Sequence, residues 1–184
     1  MVLEPLTAGR FAPANDNVGP WDGDFILATK EKSMGTAMDR KRTITALNDL
    51  LRGELSAVET YDMALPLIND DRMALADLRA CRSSHQDRVD LLRDAVIKAG
   101  GEPVDSSGAW GAFARAVEGG ASALGSSSLA VKTLEKGEEH GLREYEELLP
   151  RLEMEWRTMI SKEALPEQRR TQNIVSSVQK LMNL

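Results

Sequence analysis

Four stretches of this chain repeat apolar residues every three or four positions, and none of them alternates with a period of two. The first carries Ile44, Leu47, Leu50, Leu51, Val58 and Tyr61, and the second Met73, Leu78, Cys81, Val89, Leu92 and Val96. The third carries Leu129, Leu134, Leu142, Tyr145 and Leu149, and the fourth Ile174, Val175, Val178 and Leu181. Such spacing gives each helix one apolar stripe, and four stripes leave water most simply by facing one another. The expected fold is all-α, a four-helix bundle. Aromatic residues make up only 4% of the 184, so the core must be built mainly from Leu, Val, Ala and Met.

The boundaries follow from breakers and caps. The first helix is expected over about 39–68, bent or ended near Pro66, with Asn69-Asp70 as a short connection able to cap the second. So short a link makes the first two helices antiparallel neighbours. The second stops at Gly100-Gly101. Residues 100–128 are rich in Gly and Ser yet hold Trp110 and Phe113. They read as a loop, a short crossover helix at about 108–118 and a further turn, with Trp110 and Phe113 closing one end of the bundle. The third helix starts near Ser127, Pro150 kinks or breaks it, and the last begins at Pro166. Residues 1–37 hold Pro5, Pro13 and Pro20 without a sustained period. They read as a flexible or docking N-terminal tail, with "WDGDFIL" (21–27) as the docking piece, and 38–184 as the bundle domain.

Glu54 breaks the first stripe, seven residues before Tyr61. Glu138 breaks the third, seven residues before Tyr145, and His85 sits between Cys81 and Val89 on the second. Seven residues is close to two helical turns, so each tyrosine shares a face with its glutamate. A buried carboxylate costs several kcal/mol unless it is paired or coordinated. Two carboxylates and an imidazole suit Fe, Mn or Zn, which makes Glu54, His85 and Glu138 the candidate metal ligands, with the tyrosines as their hydrogen-bond partners. The metal-free alternative leaves the carboxylates to a buried Tyr or to an Arg, with Arg82 and Arg88 near in sequence.

The stretches "LNDLLRGELSAVETYDMAL" (47–65), "AGGEPVDSSGAWGAFARAVEGGASALG" (99–125) and "LEKGEEHGLREYEELL" (134–149) resemble the bacterial domain-of-unknown-function 2383 family. More distantly, the two Glu-to-Tyr spacings resemble rubrerythrin-type ferritin-like bundles. The resemblance implies a ferritin-like fold over about residues 40–184. Di-iron members of that fold take one Glu from each of two helices and a Glu-x-x-His from each of the other two. Here Glu54, Glu138 and His85 match, with Glu167 as a fourth. Arg82 stands where a Glu would precede His85, and Arg170 stands where a His would follow Glu167.

The remaining features exclude more than they assign. A net charge of -6 without a basic surface argues against nucleic acid as the main partner. "MDRKR" (38–42) reads as a solvated helix end. The start MVLEPLTAGRFAPANDN lacks the pattern of a secretory leader, no apolar run would span a membrane, and cytoplasm is the expected location. Cys81 is a core residue, and His140 flanks the stripe. Glu135, Glu139, Glu144, Glu146 and Glu147 read as a solvated acidic face. Neither a phosphate loop nor a Gly-x-Ser-x-Gly elbow occurs.

The leading expectation is a non-enzymatic binding or scaffold protein with an incomplete metal site, in a stress-related setting. The alternatives are a metal-binding protein using Glu54, His85 and Glu138, and a di-iron-type oxidoreductase. A homo-oligomer is expected, with Trp21, Trp110 and Trp156 as contacts, and a protein partner could dock through the tail or the Trp110/Phe113 region.

Overall fold

A computed structural model describes residues 23–68, 71–108 and 127–182, with side-chain surroundings from Thr36 onward. The chain divides into two units, Met1–Gly35 and Thr36–Leu184. Of the first, only the helical residues from Gly23 are described. The second holds the bundle.

Among the described residues the structure is all-helical, a four-helix bundle. The long helices are α1 (Gly23–Ala64), α2 (Arg72–Lys98), α3 (Ser127–Leu148) and α5 (Ala164–Met182), with a short α4 (Met154–Lys162) before the last. The first helix thus begins well before residue 39, the start expected from the apolar stripe. The short helix α4 is not expected from the apolar pattern either, which places the last helix at Pro166. The crossover helix, Trp110, Phe113 and Trp21 lie outside the described residues.

Local chemistry accounts for the ends. Pro66 closes α1 with a 3-10 turn over Leu65–Leu67. Asp71 caps α2, its carboxylate accepting from the backbone N–H of Met73 at 2.7 Å and of Ala74 at 3.2 Å. The cap is therefore one residue beyond the Asn69-Asp70 pair. Gly100 ends α2 at φ 82°, where Gly101 N–H reaches Val96 O and Gly100 N–H reaches Ile97 O, both at 2.9 Å. This is a Schellman closure, and its left-handed residue is the reason for glycine. Pro150 breaks the third helix rather than kinking it, through a 3-10 turn over Leu149–Arg151.

The apolar stripes mostly point inward, with three exceptions. Met73 and Leu181 are largely exposed and Leu129 is partly so, because they sit at the helix ends. Trp156 is buried in the core, so it is not available as a contact between copies.

The core is divided. One apolar cluster gathers Leu47, Leu50, Leu51, Leu92, Tyr145, Trp156 and Ile160, and a second gathers Tyr61, Leu78, Cys81, Val131, Leu134 and Val175. Sequence position places a buried polar layer between them, containing Glu54, His85, Arg88, Glu138, Gln168 and Thr171. No helix among the described residues is long and apolar enough to cross a membrane.

Candidate functional site

The layer is assembled from four helices. Glu54 comes from α1, His85 and Arg88 from α2, Glu138 from α3, and Gln168 and Thr171 from α5. His85 stands between the two carboxylates. Its Nδ1 lies 2.7 Å from Glu54 Oε2 and its Nε2 lies 2.9 Å from Glu138 Oε1. The three residues singled out from the sequence as candidate metal ligands thus meet in one layer.

Every carboxylate oxygen is already occupied. Glu54 Oε1 accepts from Arg88 Nε and from the Tyr145 hydroxyl, each at 2.7 Å. Glu138 Oε1 accepts from the Tyr61 hydroxyl at 2.6 Å. Glu138 Oε2 accepts from Gln168 Nε2 at 2.9 Å and from Thr171 Oγ1 at 2.8 Å. The tyrosines cross over, since each bonds the glutamate of the other helix. The seven-residue step from Glu54 to Tyr61 on α1 is answered by the reverse step from Tyr145 to Glu138 on α3. The two helices are therefore antiparallel and in register at this layer.

Arg88 is the cation at the centre. Besides Glu54 it reaches Gln168 Oε1 through Nη2 and Ser84 Oγ through Nη1, both at 2.9 Å. Arg88 Nη2 also lies 2.7 Å from His85 Nδ1, so the roles at that nitrogen must be chosen. Two carboxylates, one guanidinium and one imidazolium sum to zero charge. In that state Nδ1–H gives to Glu54, Nε2–H gives to Glu138 and Arg88 Nη2–H gives to Gln168.

The electrostatics agree. Burial disfavours the charged form of His85, but the charges of Glu138 and Glu54 and its bonds to both raise its pKa above 6.5. Burial would likewise raise both glutamates. Arg88 and His85 override it at Glu54 and hold that carboxyl at about 2. His85, with bonds from Tyr61 and Thr171, lowers Glu138. Burial and the neighbouring carboxylates push both tyrosines well above 10. No buried side-chain N or O atom among the described residues lacks a partner.

This arrangement does not fit a metal ion. Both imidazole nitrogens and all four carboxylate oxygens are committed to hydrogen bonds, and a guanidinium already occupies the cation's place. Among the described residues no group of three or more His, Cys, Asp or Glu is placed to hold a metal.

The helical register differs from the ferritin-like expectation. Glu167 and Arg170 pair with each other on the outside of α5 at 2.8 Å. The inward pair, also three residues apart, is Gln168 and Thr171. On α2 the inward pair is His85 and Arg88, while Arg82 forms a two-bond ion pair with Asp62, exposed on α1. Gln168 and Thr171 are not among the residues the sequence singles out, although both continue the stripe of Val175 and Val178 at helical spacing.

A cavity of about 440 Å³ opens beside the layer between α1 and α3. Leu50, Ala57 and Leu134 contribute apolar wall, and Gly53, Gly137 and Gly141 also line it, with Glu144 packed into the space beside Gly53 and Gln168 into that beside Gly141. Glu144, read from the sequence as part of a solvated acidic face, is instead buried in its wall. His140 and Glu139 are exposed at its rim. Cys81 is a core residue, its thiol pushed up to about 12 by burial and by Glu138.

No curated protein and no solved structure matches the chain. One family model does, over residues 42–151, more than half of the chain and the part that supplies Glu54, His85, Arg88, Glu138, Glu144 and Tyr145. On that match the chain belongs to the family described as Domain of unknown function (DUF2383).

Proposed function

We propose that this protein is a non-enzymatic binding module, a ferritin-like bundle in which a buried ion network does the structural work of a metal. The observation that carries this reading is the pairing of Arg88 with Glu54 and of His85 with both carboxylates. With the cation demand met internally, the neighbouring cavity is left as the place for a small ligand. Its walls are largely apolar with a few converging polar groups, as in small-molecule sites generally.

The test is metal analysis of protein purified without chelator, with thermal melting before and after EDTA treatment. Substoichiometric Fe, Mn and Zn and an unchanged melting curve are expected. One metal per chain, lost in Glu54→Ala, would instead establish the second reading, a metal protein using Glu54, His85 and Glu138. That reading is favoured only by the convergence of these three side chains, and it requires Arg88 to leave the layer.

Self-association belongs to the same proposal. It is supported by exposed Met73, Ile97 and Met154, which lie on the surface of the bundle. Light scattering giving the monomer mass over a wide concentration range would remove it.

A further inference from the structure

Glu144 is a carboxylate at the cavity whose chemistry is unfinished. It is only 8% exposed and lines the space between α1 and α3. It packs against the backbone of Gly53, so closely that a Cβ placed there would lie 2.7 Å from Glu144 Oε2. Among the described residues its carboxyl group makes no hydrogen bond or ion pair, whereas Glu54 and Glu138 in the adjoining layer are saturated. Asp49 and Glu54 from α1 and Glu147 from its own helix add like charge to its surroundings. Since no fully buried polar atom among the described residues lacks a partner, the Glu144 oxygens reach the accessible space of the cavity, where a cationic donor would meet them.

We propose that the cavity binds a small organic ammonium ion with an apolar body, its N–H groups donating to Glu144. This deepens the binding-module reading and rests on it. Size, shape and charge argue together. About 440 Å³ admits a small aromatic or alkyl group. Leu50, Ala57 and Leu134 supply the apolar contact. The acidic surroundings of Glu144 supply the complementary field for a cation. Arg88 and His85, the buried cations of the neighbouring layer, are already matched by Glu54 and Glu138, although His85 also lines the cavity. Lys136 and Arg143 stand at the cavity mouth, where water screens them. Burial and the same three acidic neighbours push the Glu144 carboxyl up to about 8, as expected where a countercharge is missing.

Titration calorimetry at about pH 9, above the Glu144 value of about 8 and below the roughly 10.4 of an alkylammonium ion, tests the proposal on the full chain with phenethylammonium and hexylammonium chlorides, each against its neutral alcohol. Both ammonium probes should bind the wild type about tenfold or more tightly than the alcohols, as a charge-assisted bond exceeds a neutral one. Glu144→Gln, checked for folding by circular dichroism, should lose that preference while keeping the weak affinity for the alcohols. Equal binding of alcohol and ammonium by the wild type, no saturable binding of either ammonium ion, or a preference that survives in Glu144→Gln overturns the proposal. The wild-type comparison alone decides if the variant does not fold. Stoichiometric metal in the purified protein would overturn the binding-module reading instead, so the two failures are told apart.

Discussion

The Tyr145 hydroxyl on α3 donates to Glu54 Oε1 on α1 at 2.7 Å. Along one helix Glu54 and its own Tyr61 are about 10 Å apart in rise, too far to bond directly. The antiparallel packing of α1 and α3 solves this by exchange, and Tyr61 serves Glu138 in return. Each hydroxyl meets an ionised carboxylate away from water, so each bond is of the stronger, charge-assisted kind. Tyr145→Phe and Tyr61→Phe should each lower stability by about 1.5–3 kcal/mol. Urea unfolding measures it, and a change within error for both would show that the cross-bonding is not energetically important.

Arg88 and Arg82 lie six residues apart on α2 and make opposite predictions. Arg88→Leu leaves Glu54 buried without its guanidinium and should cost about 3–5 kcal/mol. Arg82→Ala removes a solvent-screened pair with Asp62, both partners being about a third or more exposed, and should cost about 0–1 kcal/mol. Thermal or urea denaturation of the two variants side by side gives the contrast directly.

Glu54→Leu combined with Arg88→Leu should cost less than the sum of the single changes. Removing one partner strands the other charge, whereas removing both strands neither. A double-mutant cycle should return a coupling of about 0.5–3 kcal/mol. Additivity would mean that the two residues do not act as a pair.

Stability should depend on pH in two opposing ways. Glu54 is held at about 2 against 4.5, so its contribution is present above 4.5 and is lost as pH falls toward 2. His85 is raised above 6.5, so its contribution is full below 6.5 and is lost as pH rises through the raised value. The network is therefore strongest between about 4.5 and 6.5. Glu144 adds a further decline, because its folded carboxyl at about 8 holds a proton that the unfolded chain releases near 4.5. Urea midpoints should fall between pH 5 and pH 8, and Glu144→Gln should flatten part of that fall. A wild-type midpoint that rises across this interval would contradict both assignments.

Much of the fold follows from local pattern. Apolar spacing predicts the four long helices, Gly100 and Pro150 mark the ends where they are found, and the stripes carry Glu54, His85 and Glu138 inward. Those signals are legible because each depends on a few neighbouring residues or on one helical period. The start of α1 and the short α4 were not legible, since neither carries a long apolar stripe.

What the layer does with its inward groups was decided by packing. One residue along a helix is a turn of about 100°, so whether α5 faces the core with Glu167 and Arg170 or with Gln168 and Thr171 depends on how it is rotated against its neighbours. The same applies to Glu144, one position before Tyr145, which the edge of a stripe cannot separate from the solvated face. Arg88 becomes the cation of the core, rather than Arg82, because only Arg88 points at Glu54 once α2 lies antiparallel to α1. Sequence alone placed two carboxylates and a histidine inside the bundle. Tertiary structure supplied the guanidinium, the amide and the hydroxyls that hold them, because those partners come from four different helices and meet only when the helices pack.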